Sequence, residues 1–115
     1  MISYATSTDG RRWTRPLLDI VPWEGKPSNI LLRLPNPAAE CSYANVYVDP
    51  EAVNKSQTYE MLALLSEEPP GFPKHKGQAI YRYYSPDGIR WHADIALRDG
   101  PCWGHTWCSD SMYIK

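Results

Sequence analysis

Ser85-Pro86-Asp87-Gly88-Ile89-Arg90-Trp91 occurs a second time in the chain, as Ser7-Thr8-Asp9-Gly10-Arg11-Arg12-Trp13. Both copies read Ser-x-Asp-Gly-x-Arg-Trp, and the second begins 78 residues after the first. Each follows an extended run rich in Tyr and Ala, Ile2-Ser3-Tyr4-Ala5-Thr6 and Ala79-Ile80-Tyr81-Arg82-Tyr83-Tyr84. Asp-Gly between two extended runs is a strong hairpin signal, because Gly takes positive φ without a Cβ clash. The Ser hydroxyl and the Asp carboxylate can bond to nearby backbone N–H groups and close the turn. The Trp then opens the returning strand, where its ring can bury a large apolar area. The recurrence predicts a repeated supersecondary unit, with hairpin turns at 8–10 and 86–88.

Working outward, residues 1–20 are expected to form strand, turn and strand. Residues 21–27 carry two prolines and a glycine and predict a loop. Ser28-Asn29-Ile30-Leu31-Leu32-Arg33-Leu34 has the length of a buried strand, and a Pro-rich loop follows at 35–40. Residues 41–49 alternate, with Tyr43, Asn45, Tyr47 and Asp49 on one face and Ala44, Val46 and Val48 on the other. Asp49-Pro50 ends that strand, since Pro cannot continue an inner ladder. Thr58-Tyr59-Glu60-Met61-Leu62-Ala63-Leu64-Leu65 is expected to be the next strand, although its apolar run also fits a helix. Residues 66–77 predict an exposed loop.

The expected fold is all-β. A unit combining the Ile30 run, the Cys41 run, the Thr58 run and the repeated hairpin is a four-stranded antiparallel sheet, and such sheets in tandem are the blades of a β-propeller. The expected division of residues 1–115 is the end of one blade at 1–20, one blade at 28–98, and the start of the next at 103–115. This makes the chain a partial propeller domain whose remaining blades are its first expected partner.

Composition excludes several classes. With 12 basic and 13 acidic residues and a net charge of −1, no basic stripe marks a nucleic-acid surface. No apolar run approaches the length of a membrane span, and the N-terminus lacks the basic-then-apolar pattern of a signal peptide, which leaves the compartment open. Cys41, Cys102 and Cys108 show no Cys-x-x-Cys spacing, so neither a metal nor another cofactor is expected. Buried free thiols fit them better than a pair between Cys102 and Cys108.

The series Tyr-Ala-x-Ser-x-Asp-Gly-x-x-Trp-x-x-Pro-Leu, Asn-Ile, Val-Tyr-Val-Asp-Pro, Thr-Tyr-Glu-Met, Tyr-Ser-Pro-Asp-Gly-Ile-x-Trp and Ser-Asp resembles the five-bladed β-propeller glycoside hydrolases. These are the invertase-like, arabinanase-like and levansucrase-like enzymes of families 32 and 43. The turn is also similar to the Asp-box of sialidases, which has one more residue between Asp and Gly. The resemblance implies a carbohydrate substrate and catalytic carboxylates that face a central funnel. It implies that Asp49, in Val48-Asp49-Pro50, orients the sugar or stabilises the transition state. It implies the same setting for Asp110, in Ser109-Asp110. Asn29 resembles the second Asn of a blade-opening Asn-Asn-Ile element whose first Asn is Ser28 here. The general-acid Glu has no match, and Glu60 falls where the family carries a charged surface residue.

Trp103-Gly104-His105-Thr106-Trp107 stands beside Asp110, and aromatic faces with a polar neighbour suit a sugar. Trp103 and His105 are therefore candidate substrate-binding residues, the other reading being a packed sheet edge. Asp9 and Asp87 are turn residues, and Trp13 and Trp91 are expected to pack between blades. A hydrolase, a glycan-binding propeller without catalysis and a purely structural propeller all satisfy the pattern, because fold alone does not fix activity.

Overall fold

The computed structural model describes residues 1–74 and 78–94. Among them the chain is all-β, with a single turn of 3-10 helix at Lys55–Gln57 and no α-helix. The strands are β1 (Ile2–Ser3), β2 (Leu18–Trp23), β3 (Lys26–Ser28), β4 (Ile30–Leu32), β5 (Cys41–Val48), β6 (Tyr59–Leu65), β7 (Ala79–Ser85) and β8 (His92–Ala93). They form two antiparallel four-stranded sheets, ordered β1-β4-β2-β3 and β5-β6-β7-β8.

The second sheet is an up-and-down meander, and its register explains its core. Met61 pairs with Tyr83, Ala63 with Tyr81 and Leu65 with Ala79, so on one face the two alanines make room for the Tyr81 and Leu65 side chains opposite them. Those six residues are all buried and join Leu34 and Phe72 in the core cluster. The ring of Phe72 meets Tyr81 edge to face, with centroids 5.1 Å apart. Ile2 and Leu32 of the first sheet pack on this cluster, as do Trp91 and Ala93 beyond the second turn. Residues 60–65, which also fit a helix in sequence, are strand because alternate positions meet partners on both sides. Tertiary pairing outweighs local preference here.

Both predicted turns form. Thr6 and Thr14 bridge the first in antiparallel fashion, and Tyr84 with His92 flanks the second. Gly10 and Gly88 have φ of 72° and 76°, which only Gly adopts freely. The side-chain bonds repeat as well. Ser Oγ donates to Asp Oδ1 at 3.1 Å in the first copy and 3.0 Å in the second. Asp Oδ1 accepts from two successive backbone N–H groups, at 2.8 and 2.9 Å in each copy.

Three expectations change. The Ile30 run, expected in one sheet with the Cys41 run, pairs instead with β1 and β2. The loop expected at 21–27 is a tight hairpin between β2 and β3, with Trp23 opposite Lys26. Glu24 and Gly25 both take positive φ, 50° and 73°, as the commonest two-residue hairpin turn requires. Trp13, expected to pack like Trp91, is 63% exposed.

Candidate functional site

A polar cleft of about 300 Å³ lies at one end of the second sheet, bordered by Tyr47, Asp49, Asn54, Gln57, Glu60 and Arg82. Asp49 follows the last residue of β5, and its backbone N–H still donates to Thr58 O at 2.8 Å, holding the strand end to β6. Its Oδ1 accepts from Glu51 N at 3.1 Å, an Asx turn that starts the connection to β6. The rest of that connection is braced internally. Asn54 Oδ1 accepts from Ser56 N at 3.1 Å and from Ser56 Oγ at 2.7 Å. Lys55 Nζ donates to Pro50 O at 3.2 Å, and Thr58 Oγ1 donates to Lys55 O at 2.9 Å. Local side-chain bonds therefore fix one wall of the cleft.

The floor comes from the face of the second sheet opposite the core. Tyr47, Glu60, Tyr84 and His92 are successive cross-strand partners and share that face. One residue pair inward, Arg82 pairs with Leu62. Arg82 Nη2 lies 2.8 Å from Glu60 Oε2, and its Nη1 lies 3.6 Å from Asp94 Oδ2. Arg82 Nε is buried without a hydrogen-bond partner among the described residues. An ion pair crossing β6, β7 and the end of β8 thus stands beside Asp49. This arrangement can orient a hydroxyl-rich ligand through carboxylate acceptors, amide groups and one guanidinium.

Asp49 is therefore at a cleft, and Glu60, expected to be a surface charge, shares it. Arg82 escaped notice in the sequence because it sits in a Tyr-rich strand. Its signal is positional: it is a lone cation on the outward alternation of β7. Asn29 is elsewhere. Its Nδ2 donates to Tyr4 O at 2.7 Å and its carbonyl accepts from Tyr4 N at 2.8 Å, so it ties β1 to the β4 end of the first sheet. Trp103, His105, Asp110, Cys102 and Cys108 lie outside the described residues. Cys41 is a free, half-buried thiol, and burial pushes its pKa up.

The turn carboxylates are engaged by backbone. Bonds from Arg90 N, then Ile89 N and Ser85 Oγ, bring Asp87 down to about 2. Asp9 is lowered by the corresponding bonds from Arg12 N and Arg11 N, and then by Ser7. Among the described residues no three His, Cys, Asp or Glu side chains converge as metal ligands would. No family model matches the chain, and no curated protein or solved structure does either.

Proposed function

We infer that the two sheets are blades of a β-propeller that acts on a glycosidic bond, with Asp49 as a carboxylate of the sugar site. One observation carries this reading: a four-stranded meander, closed by the repeated Ser-x-Asp-Gly-x-Arg-Trp turn, ends its outer strand in a carboxylate beside a polar cleft. The bonding of Asp9 and Asp87 supports the division of labour, since both are committed to turn N–H groups. Asp110 belongs to the proposal on the resemblance alone, and Trp103 and His105 on their aromatic and polar character beside it.

Hydrolysis needs a second carboxyl about 5–5.5 Å from the first for retention, or about 6.5–9.5 Å for inversion. Glu60 borders the same cleft, but Arg82 engages its carboxylate. That engagement favours a second reading, a propeller that holds glycans without cleaving them. Incubating the protein with aryl α- and β-glycosides and with arabino-, xylo- and fructo-oligosaccharides separates the readings. Released sugar supports the hydrolase, binding without release supports the glycan receptor, and neither contradicts both.

A further inference from the structure

A second cavity, of about 330 Å³, lies between the two sheets beside the second turn. Ile2 and Leu31 wall it from the first sheet and Tyr59 and Met61 from the second, while Tyr4 and Trp91 complete an apolar, aromatic lining. Trp91 is the Trp of the repeated turn. It packs on the core cluster, and its Nε1 donates to Gly88 O at 3.1 Å. Trp13 holds the same place in the first turn, yet it is 63% exposed, and its Nε1 makes no hydrogen bond among the described residues. The turn beneath it is nonetheless closed: Asp9 Oδ1 accepts from Ser7 Oγ, Arg11 N and Arg12 N. A fixed tip therefore presents an unspent indole to the outside.

We propose that Trp13 is a knob that fills this cavity in a second copy of the chain, and that the exchange is reciprocal. The proposal is independent of the glycoside reading. Three observations select this occupant. The cavity is of a size that takes one flat ring system, and its aromatic walls suit an indole edge to face. A Trp of the same motif already lies against those walls, so the surface is one that accepts it. Arg11 and Arg12 flank Trp13, and the one charged residue that lines the cavity is the acid Asp87. Arg90 Nη1 already lies 3.2 Å from Asp87 Oδ2, so the ring carries the contact and the charges only orient it. Closure is available within one hairpin arm. Tyr4 walls the cavity and Ser7 opens the turn, three residues and roughly 10 Å further along extended chain. Thr6 bridges Thr14 there, next to Trp13. Two copies about a two-fold axis each supply one knob and one hole, which gives a closed dimer and not an open filament.

The test is sedimentation velocity of the protein over a concentration series, which gives the dimer association constant. Trp13→Ala is expected to weaken association about tenfold or more, and Trp13→Phe, which keeps a ring, to retain most of it. Ser3 is exposed and lines the cavity, so Ser3→Trp puts an indole there from the chain's own β1. It is expected to weaken association as much as Trp13→Ala does. The double variant should weaken it no further than either change alone, because both remove the same contact. Far-ultraviolet circular dichroism confirms that each variant folds. A native chain that stays monomeric at every concentration overturns the proposal. So does association that either Trp13→Ala or Ser3→Trp leaves unchanged, or losses from the two that add. Pairing of β5 edges then accounts for whatever self-association remains.

Discussion

Gly88 lies against the ring of Tyr59: a Cβ at Gly88 would come within 3.3 Å of Tyr59 Cδ1 and Cε1. A Cβ at Gly10 would meet nothing within 4 Å. The two copies of the turn share their bonds but not their surroundings. The second is fastened to β6 beneath it, and Ser85 is fully buried there. The first stands open, with Trp13 exposed.

This difference makes the repeat its own control. Gly10→Ala is expected to cost about 1 kcal/mol, from the positive φ alone. Gly88→Ala carries the same backbone cost, and the Tyr59 ring must also yield, so its loss is expected to be larger by about 1 kcal/mol or more. Urea unfolding of the two variants measures both, and equal losses would contradict the docking of the second turn.

Acid should act through Asp87. Its folded pKa falls from the usual 3.8 to about 2, so its contribution to stability is present above about pH 4 and is lost as pH drops towards 2. Asp87→Asn keeps a turn-compatible acceptor and removes the titration. Relative to this variant, the native chain is expected to lose stability between pH 4 and 2. Thermal melts of both across that window check it, and parallel curves would contradict it. The effect is small because the side chain is exposed.

Arg82 and Glu60 should behave as a pair. Removing Arg82 alone takes away the cation that lies 2.8 Å from a mostly buried carboxylate, at an expected cost of about 2 kcal/mol. Replacing both residues with Leu and Met should recover part of that loss. A double-mutant cycle by urea unfolding reads the coupling, and simple additivity would mean that the pair contributes nothing.

The 115-residue chain on its own is expected to self-associate. The eight-residue strand β5 exposes Tyr43, Val46, Tyr47 and Val48 along its length without a charge to block pairing. Sedimentation velocity should show species above the monomer, and Val46→Lys should reduce them. A concentration-independent monomer would contradict this.

Much of the architecture was legible from the two Asp-Gly turns and from the alternation over 41–49, because both are short-range rules of backbone geometry. Asp49 was legible at a strand end for the same reason. The partner of Ile30 was not, because three apolar residues in a row carry no record of which sheet they join. The hairpin at Glu24-Gly25 was hidden by Pro22 and Pro27, which signal a loop even though both sit in strands here. Glu60 and Arg82 meet across β6 and β7, with 21 residues between them in the chain, and their pairing depends on a register fixed by the core on the other face. The exposure of Trp13 was equally hidden, since an identical motif in a different environment leaves an identical sequence.

The central claim is that Asp49 serves chemistry while Asp9 and Asp87 serve turns. The measurement is kcat/KM of the protein and of Asp49→Asn, Asp9→Asn and Asp87→Asn on a glycoside drawn from the panel of the proposed function. Asp49→Asn is expected to lose roughly 10²-fold or more, about 2.7 kcal/mol of transition-state stabilisation, with its fold intact. The two turn variants are expected to retain nearly full turnover and to melt slightly earlier. Full activity in Asp49→Asn, with loss at Asp9 or Asp87 instead, would contradict the account.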